Sequence, residues 1–496
     1  MSWRIALALF VLAIVSRLPF QTENLWAHDS VLYERAIGHF SPIDQQPQAP
    51  GYLYYVLVLR ALDLFVHDAN RAMTIVSLIA GAAAVALLYL FAARLYDERT
   101  ARISALFLLT AVTFWAYSGV AYPYTLLGLL TIACAFAFWR AATRADAGPL
   151  LAASALWGVA IGFRTDLAVF LTPVWLIAAW GKRFVVTIAA AATVAVLTMA
   201  WYLASAFADG GLPAFAEALR VQGQFVDERY SMFGIDGLRA IVGNAYDLGR
   251  FLGRALYFLA PVLVAVPLSD SARHIELADR RRVIFLLAWG LTPLVIYVPI
   301  HVGEYGYVFS MLPALCVIAA RGAIALARGS RLPQSLPWLV GAVAIANASI
   351  FLLSDTPLSA TDVIRRDRGT IEKLEYLQTT PDLERATIIA AYDLLVLVDY
   401  ANERAPGYGM HDVVGYDPAN PPIDFVFGSA ECRPGVGPLQ GCAQSPSLAV
   451  WDQLIRVRGD GWQEVRMPHG ATLRIAPNAV GMRVHIERLE VTLSRR

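Results

Sequence analysis

The chain has 496 residues, of which 57% are apolar and only 16% are charged, whereas charged residues make up about 25% of an average soluble domain. Together with a mean hydropathy of +0.53, this composition argues against a soluble globular protein. The net charge of +1 gives no reason to expect a nucleic-acid partner, and four cysteines are too few for a disulfide scaffold. We therefore expect an integral membrane protein.

Long runs without Asp, Glu, Lys or Arg predict that the first 354 residues cross a membrane many times. A helix of about 20 apolar residues spans a hydrocarbon core about 30 Å thick. The first candidate span is interpreted as a retained signal anchor, because no small-residue cleavage pattern follows it. The eleven candidates are Trp3–Phe20, Ala72–Ala93, Ile103–Gly119, Tyr122–Trp139, Pro149–Phe163, Leu167–Trp180, Phe184–Phe207, Phe251–Leu268, Val283–Ile300, Tyr305–Ala320 and Leu336–Leu353.

The segment Gly51–Val66 decides the predicted topology. It is apolar but has only 16 residues and carries Arg60 and Asp63, and charges exposed to lipid at mid-depth are costly. If the segment lies flat in the outer interface, five basic clusters fall on the cytoplasmic side, as the positive-inside rule requires. We therefore predict a cytoplasmic N-terminus, an extracytoplasmic C-terminus and a first outer loop, residues 21–70, with one or two in-plane helices. The clusters contain Arg94, Arg99 and Arg102; Arg140 and Arg144; Lys182 and Arg183; Arg273, Arg280, Arg281 and Arg282; and Arg321, Arg328 and Arg331.

Residues 355–496 are rich in charge, Pro and Gly and predict a soluble extracytoplasmic domain. The stretches "ATIIAAY", "LAVWDQLIRVRG" and "MRVHIERLEVTL" alternate apolar and polar residues as strands do, and "DVIRRDRGTIEKLEYLQT" is typical of a helix. The predicted fold class is thus mostly α: residues 1–354 form a polytopic transmembrane helical bundle of about 11 spans, and a small α/β or mostly β domain follows.

The four cysteines divide between these two regions. Cys432 and Cys442 lie in a loop of the C-terminal domain that is rich in Gly and Pro. In an oxidising compartment we expect them to form a disulfide, with two free thiols as the alternative. Cys134 and Cys316 lie in apolar spans, where we expect them to be packing residues.

Ionisable residues outside the cytoplasmic links collect at the predicted outer ends of spans and in the outer loops. A transporter would place such residues near the middle of its spans, so this distribution favours a site at the outer membrane face. Arginine and carboxylates at that depth suit a lipid-linked anionic substrate, with arginine binding phosphate and a carboxylate acting on the transferred group. The residues are Glu23, His28, Asp29, Glu34, Arg35, Asp44, Arg164, Asp166, His301 and Glu304.

In the first outer loop, "HDSVLYERAIGHF" precedes "QQPQAPGYLYYVLVLRALDLF". This order of motifs resembles that of GT-C glycosyltransferases, the superfamily that contains protein O-mannosyltransferases and aminoarabinose transferases. Proteins of the superfamily carry an acidic residue just after the first span, then a Pro-rich turn that leads to an aromatic juxtamembrane helix. "GFRTDLAVFLTPVW" and "GEYGYVFSMLPALCVIAA" also resemble a bacterial branch of the superfamily. The resemblance covers most of residues 1–330 and none of the C-terminal domain.

The resemblance implies a glycosyltransferase of the bacterial inner membrane. It would move a hexosyl or pentosyl group from a polyprenyl-phosphate donor to a glycan, lipid or protein acceptor at the outer face, so the expected partners are that donor and membrane lipid. Some relatives hold a divalent metal between paired carboxylates and others need none, which leaves a metal open. Two other functions stay open: a lipid-linked saccharide flippase or transporter, and a non-catalytic scaffold that presents the C-terminal domain.

By resemblance, the role of the loop acid, as catalytic base or electrostatic partner, falls on Asp29. Alternatively, "HDSVLYERA" is a capping sequence in which Asp29 stabilises the start of the following helix. His28 is a candidate substrate-binding neighbour of Asp29 or a simple loop residue. Asp44 is a weaker substrate-binding candidate, because an Asp before a Gln- and Pro-rich turn is usually a solvated turn residue.

Arg164 is the candidate for binding the lipid phosphate, because the positive-inside rule makes arginine uncommon at an outer span end. Asp166 is two residues away and is either a second catalytic acid or an ion-pair partner that anchors the interface. Related proteins often have an acid at the outer end of the third span, but "AYSGVAYPY" has none. Asp166 or Glu304 would have to supply that acid.

The motif "HVGEYGYVF" supplies the last candidates. Glu304 stands at the mouth of two predicted spans and is a candidate catalytic acid. His301 and Tyr305 are candidate substrate-binding residues beside it, and Tyr307 is a weaker one. Tyrosines at this depth are also common as interfacial anchors whatever the function of the protein.

Overall fold

The computed structural model describes residues 2–234, 237–268, 280–329, 334–380 and 462–476, and seven further strands of the C-terminal region. The chain forms two compact units. The first contains residues 1–21 and 32–361, and the second contains residues 22–31 and 362–496. Cys432 and Cys442 lie outside the described residues, and their predicted disulfide stays a prediction.

The first unit is helical, and every predicted span falls on helical structure, which confirms the mostly α, polytopic fold class. The predicted spans 103–119 and 251–268 are each interrupted, at Ala111 and at Tyr257, and 305–320 begins as a 3-10 helix over Tyr305–Ser310. The helices are α1 Trp3–Arg17, α2 His28–Gly38, α3 Leu53–Val66, α4 Ala69–Leu95, α5 Glu98–Thr110, α6 Val112–Tyr117, α7 Tyr124–Ala142, α8 Gly148–Phe163, α9 Leu167–Ala179, α10 Phe184–Ala208, α11 Leu212–Tyr230, α12 Leu238–Leu256, α13 Leu259–Leu268, α14 Arg280–Tyr297, α15 Leu312–Gly329, α16 Ser335–Leu353 and, in the second unit, α17 Ala360–Thr379.

Five helical segments within the described ranges are long and apolar enough to cross a membrane on their own: Trp3–Phe20, α4, α7, α10 and α16. Two of them differ in how much protein surrounds them. The most apolar window of α4 is 67% buried, whereas that of α10 is only 11% buried and presents large apolar side chains such as Phe184 and Val185. A soluble protein would hide such a surface, so the exposed face of α10 suits contact with lipid.

The short helix α3, predicted to lie in the outer interface, carries a half-buried arginine that is held by main-chain carbonyls. Arg60 donates from Nε to the carbonyl oxygen of Ile37 and from Nη2 to that of Ala36, both at 2.9 Å. These carbonyls belong to the last turn of α2, where main-chain acceptors lack helical partners and a cation is favourable. The Arg60 side chain therefore links α2 to α3. The in-plane orientation of both helices stays a prediction.

The second unit contains α17 and nine strands within the described residues. The larger sheet has the order β2-β3-β1-β4-β7-β6, in which only β1 and β4 pair in parallel, and an antiparallel sheet has the order β5-β8-β9. The predicted helix and strand stretches are thereby confirmed. The strands are β1 Thr387–Ala390, β2 Asp412–Val414, β3 Phe425–Gly428, β4 Ala449–Asp452, β5 Arg456–Arg458, β6 Gln463–Arg466, β7 Thr472–Ala476, β8 Arg483–Ile486 and β9 Leu489–Thr492.

Candidate functional site

Arg164 and Asp166 lie in the three-residue link between α8 and α9. Because α8 ends at Phe163 and α9 begins at Leu167, both side chains are held at the same end of this helix pair. Arg164 Nη2 donates to Asp166 Oδ2 at 2.8 Å, and the Arg164 side chain is only 9% exposed. Arg164 Nε and Asp166 Oδ1 are buried, and neither has a hydrogen-bond partner within the described part of the chain. The ion pair thus leaves one donor and one acceptor unsatisfied, and buried polar groups of this kind call for an explanation.

Three tyrosine rings surround the Arg164 guanidinium. Its Cζ atom lies 5.1 Å from the ring centroid of Tyr124, 5.6 Å from that of Tyr52 and 5.8 Å from that of Tyr307. These distances are in the range of cation–π attraction, which strengthens when the cation is removed from water. The rings therefore stabilise a charged arginine in a largely buried position.

The backbone of the Pro-Gly-Tyr motif delivers Tyr52 to this cage. Gly51 has φ +95°, and a Cβ atom there would lie 2.7 Å from Pro42 Cγ and 2.8 Å from Phe40 Cζ, so only glycine fits. Tyr52 itself has φ +45° and ψ +45°, a left-handed conformation that is unfavourable for a residue with a side chain. Tyr52 then starts α3. The left-handed backbone of Tyr52 thus helps to place its ring beside Arg164.

A second glycine allows Tyr124 and Tyr307 to meet. A Cβ atom at Gly306 would lie 2.0 Å from Tyr124 Cγ, so the ring of Tyr124 packs directly on the Gly306 backbone. The centroids of Tyr124 and Tyr307 are 5.6 Å apart. Gly306 therefore matters because it brings α7 and the 3-10 helix Tyr305–Ser310 into close contact.

Glu304 joins the same aromatic cluster through Tyr117. Glu304 Oε2 accepts a hydrogen bond from the Tyr117 hydroxyl at 2.8 Å, and Tyr117 is almost fully buried. The ring of Tyr117 contacts those of Tyr122 and Tyr124, with centroids 6.2 Å and 5.7 Å apart. We call Tyr52, Tyr117, Tyr122, Tyr124 and Tyr307 the tyrosine cluster. It connects the Arg164–Asp166 pair with the Glu304 carboxylate inside the first unit.

His301 also contacts this cluster, but as a neutral side chain at pH 7. Its ring lies 5.8 Å from that of Tyr307 and 4.5 Å from that of Tyr230, and burial lowers its pKa to about 4. Its Nδ1 is buried without a hydrogen-bond partner among the described residues. Arg164 therefore provides positive charge in this cluster, whereas His301 provides none near neutral pH.

Tyr305 contacts a different set of residues from Tyr307. Its ring centroid lies 4.4 Å from that of Phe251, and Arg254 Cζ lies 5.2 Å above it, so Tyr305 packs on α12. Asp44 is exposed and its Oδ2 accepts a hydrogen bond from Ser41 Oγ at 2.9 Å, the geometry of a turn residue. The substrate-binding roles predicted for both residues stay predictions.

His28 and Asp29 are half-buried in the first turn of α2, within the segment 22–31 that belongs to the second unit. Because α2 begins at His28, Asp29 is its second residue and not the residue before it. A carboxylate in the first turn interacts favourably with the helix dipole. The helix-stabilising interpretation and the catalytic one are both compatible with this position.

An apolar groove of about 540 Å³ runs between α8, α9 and α10 in the first unit. Ile161 and Ala168 line it, three residues before Arg164 and two residues after Asp166. Trp157, Thr172, Trp175 and residues of α10 from Ala191 to Tyr202 complete the lining. The groove therefore begins close in sequence to the ion pair and follows a face that suits lipid.

Among the described residues, no three His, Cys, Asp or Glu side chains come together as a metal site would need. The Asp166 carboxylate is instead engaged by Arg164.

Sequence reasoning missed Tyr52 in "APGYLYY" and Tyr117, Tyr122 and Tyr124 in "AYSGVAYPY". A sequence signal was present, because each of these two motifs contains three tyrosines and the second joins the ends of two predicted spans. Interfacial tyrosines are so common that the motifs alone did not distinguish a site from an anchor.

A comparison with known protein families matches the part of the chain that contains Arg164 and Asp166. The profile of the family described as dolichyl-phosphate-mannose-protein mannosyltransferase, PMT_2, matches residues 49–206. No match is found among curated proteins.

Among solved structures, the chain is similar to ArnT from Cupriavidus metallidurans. The apo structure has 16% identity, covers 80% of this chain and 74% of that chain, and gives a TM-score of 0.49. The structure bound to undecaprenyl phosphate has 12% identity, covers 95% and 96%, and gives a TM-score of 0.49. The apo oligosaccharyltransferase of Archaeoglobus fulgidus has 14% identity, covers 76% and 59%, and gives a TM-score of 0.45.

The family match confirms the predicted resemblance to the GT-C superfamily. It includes the ion pair Arg164–Asp166 and the cluster residues Tyr52 and Tyr124. Residues 49–206 are therefore similar to this mannosyltransferase family.

Proposed function

We propose that this protein is an integral membrane glycosyltransferase that moves a sugar from a polyprenyl-phosphate donor to an acceptor at the outer membrane face. The observation that carries the proposal is the caged Arg164, whose Nε has no hydrogen-bond partner among the described residues and whose Nη2 is held by a carboxylate. A guanidinium presents several donors in a planar fork that suits phosphate oxygens. The description of the matched family names dolichyl-phosphate mannose, which supports a polyprenyl phosphate as the carrier here.

The transfer needs a base, an anion-binding group and a dry site. A hydroxyl of the acceptor attacks the anomeric carbon of the sugar, and the bond between that carbon and the phosphate oxygen breaks. Asp29 takes the proton of the attacking hydroxyl, while Arg164 stabilises the charge on the departing polyprenyl phosphate. Asp166 orients Arg164 and, with Glu304, supplies further carboxylates for sugar hydroxyls. The acceptor is a glycan, lipid or protein.

The apolar groove between α8, α9 and α10 gives the isoprenoid chain a path away from the ion pair. Ile161 and Ala168 flank Arg164 and Asp166 in sequence and line the groove. Each buried methylene contributes about 0.8 kcal/mol, so such a groove favours a long apolar chain over a soluble sugar nucleotide. A donor bound in this way enters sideways from the bilayer.

Four further residues are proposed to contribute to binding of the donor or the acceptor: His28, Asp44, His301 and Tyr305. His301 is neutral near pH 7, so it would act through a hydrogen bond at its unsatisfied Nδ1 and not through charge.

The protein is proposed to reside in the bacterial inner membrane with its N-terminus in the cytoplasm and residues 355–496 outside. In single-cysteine variants, position 281 should be labelled only from the cytoplasmic side and position 463 only from outside, and both residues are exposed. Labelling of both positions from one side would overturn the proposed topology.

A lipid-binding experiment tests the phosphate site. Purified protein should bind undecaprenyl phosphate more tightly than undecaprenol, because only the phosphate engages Arg164. A non-catalytic scaffold would bind the two lipids equally. Equal binding would contradict the proposed function.

A transfer assay tests the base. With a labelled polyprenyl-phosphate sugar in membranes that contain the native acceptors, Asp29→Asn should transfer about 100-fold to 10,000-fold more slowly than wild type. The matched control is Asp247→Asn, an exposed carboxylate paired with Arg250 on α12, which should transfer normally. A flippase would instead move the intact donor across the bilayer without forming a new glycosidic bond. Near-normal transfer by Asp29→Asn would remove the assignment of the base.

A further inference from the structure

The segment that leads into α2 is held within the second unit by one carboxylate on α17. Asp367 Oδ1 accepts from the backbone N–H of Asn24 at 2.9 Å and from that of Glu23 at 3.1 Å, and Oδ2 accepts from Glu23 N–H at 3.0 Å. The Asn24 side-chain amide also donates to Asp367 Oδ1 and to the Asp367 carbonyl, both at 3.2 Å. Charge-assisted bonds to backbone N–H groups are among the stronger protein hydrogen bonds.

Arg366 holds the same segment two residues further along. Its Nη2 donates to the Trp26 carbonyl at 3.2 Å, and its Cζ lies 4.2 Å from the Trp26 ring centroid. Trp26 is only 4% exposed, so this stacking contact is largely removed from water and is stronger than a surface one. Two neighbouring residues of α17 thus fix the backbone from 23 to 26 and the ring at its end.

The held segment passes directly into the helix that carries Asp29. The hydroxyl of Ser30 accepts from the Ala27 backbone N–H at 3.3 Å, and the Ser30 N–H donates to the Ala27 carbonyl at 2.8 Å. Ala27 therefore immediately precedes a fixed first turn. Only Ala27 and His28 lie between Trp26 and Asp29, so a shift of residues 23–26 would move Asp29.

The other side of α17 is fixed as well, by the turn between β6 and β7. Glu372 accepts from the His469 backbone N–H at 3.2 Å, and Arg368 Nη1 lies 3.0 Å from His469 Nε2. A Cβ atom at Gly369 would lie 2.6 Å from Ala471 Cβ, so the turn packs tightly on the helix. The helix α17 therefore has little freedom of its own to move relative to this hairpin.

We propose that Asp367 and Arg366 are positioning residues for the transfer reaction, through which the C-terminal domain sets the location of Asp29. This inference rests on the proposed role of Asp29 as the base. Neither residue touches substrate. Both act through the backbone of residues 23–26, and a misplacement of about 1 Å in a reacting group costs up to about 100-fold in rate.

The test compares two substitutions of one carboxylate in the full-length protein. Asp367→Ala removes every side-chain acceptor and should lower kcat by about 10-fold to 100-fold while KM for the polyprenyl-phosphate sugar changes less than about twofold. Asp367→Asn keeps an oxygen at the Oδ1 position, which accepts from both backbone N–H groups, and should retain a kcat close to wild type. A merely structural role would lower the amount of folded protein and leave kcat per folded molecule unchanged.

Two further variants complete the design. Glu375→Ala removes an exposed carboxylate two turns further along α17 and should leave kcat and KM unchanged. If Asp367→Ala does not fold, Arg366→Met should still show the loss of kcat at constant KM, because it removes the donor and charge at Trp26. A folded Asp367→Ala or Arg366→Met protein with wild-type kcat would overturn the inference, as would equal loss in Asp367→Asn. If Asp29→Asn transfers normally the proposed base itself fails, whereas inactive Asp29→Asn with active Asp367→Ala overturns only the positioning role.

Discussion

Two buried arginines at predicted outer span ends differ in the groups that hold them. Arg17, at the end of α1, is fully buried and donates to the main-chain carbonyl of Leu109 at 2.8 Å and to Ser16 Oγ at 2.9 Å. Arg164, after α8, donates to the carboxylate of Asp166. Both Nε atoms lack a partner among the described residues, so an unsatisfied donor alone does not distinguish a site from a structural contact.

The guanidinium groups of Arg17 and Arg164 have different surroundings. The carbonyl of Leu109 lacks a helical partner because α5 ends at Thr110, so Arg17 caps the break and also stacks on Trp115 of α6 at 5.2 Å. Arg164 instead lies among tyrosine rings beside a carboxylate whose Oδ1 has no hydrogen-bond partner in the described part of the chain, and 9% of its side chain is exposed. Backbone carbonyls hold the first arginine, whereas a carboxylate and aromatic rings hold the second, which is the one that we propose binds a ligand.

Of the two arginines, Arg164 should have the larger effect on lipid affinity. Arg164→Gln removes the charge that we propose meets phosphate, and charge-assisted hydrogen bonds contribute about 1.5 to 3 kcal/mol each. Affinity for undecaprenyl phosphate should therefore fall by about 10-fold to 100-fold, measured by lipid binding to purified protein. Arg164→Lys keeps the charge but not the planar fork and should be intermediate. Unchanged affinity in Arg164→Gln would place the two arginines in the same structural class.

Arg17→Met should have the opposite profile. It leaves the Leu109 carbonyl buried without a donor, which costs about 1 to 3 kcal/mol of folding free energy. Thermal unfolding in detergent should show this loss, while affinity for undecaprenyl phosphate per folded molecule should match wild type. Weakened lipid affinity in a folded Arg17→Met protein would remove the contrast between the two arginines.

The stability of the protein should depend on pH through His301, which contacts the tyrosine cluster. Its pKa is about 4 in the folded protein because of burial, against an ordinary value of 6.5. The unfolded state therefore binds the extra proton first, and stability that is fully present above pH 6.5 is lost as the pH falls towards 4. Between pH 6.5 and 4.5 the loss should be about 2 kcal/mol. His301→Asn should flatten this part of the curve, and an equally steep curve in the variant would assign the pH dependence to other groups.

The smallest effect on stability and lipid affinity is expected from substitution of Gly51, the residue before Tyr52. Gly51→Ala must adopt φ +95° and meet Pro42 and Phe40, which costs about 1 to 2 kcal/mol. It should also weaken lipid affinity, because the ring of Tyr52 moves away from Arg164. Gly38→Ala is the control, since nothing lies within 4 Å of an added Cβ there. Equal behaviour of the two alanine variants would show that the cage does not depend on this backbone.

Much of the fold could be predicted because it follows from local sequence. An apolar segment in lipid must satisfy its backbone internally, so the long apolar runs predicted helices, and they were confirmed. The breaks at Ala111 and Tyr257 could not be predicted, because each lies inside an apolar stretch. The carbonyl freed near Ala111 meets Arg17, which lies 92 residues away from Leu109 in sequence. Such a contact is stable only in the packed bundle.

The sequence by itself determined which ionisable groups stand at span ends, and it singled out Arg164, Asp166 and Glu304. Only the tertiary structure decided their neighbours, because Tyr117 and Glu304 are 187 residues apart. The ring of Tyr52 reaches Arg164 through a left-handed backbone that tyrosine alone does not favour. The hydrophobicity and charge of each residue are known from the sequence, so they predict the spans and the residues at the span ends. The cage arises from contacts between distant helices, which only packing determines.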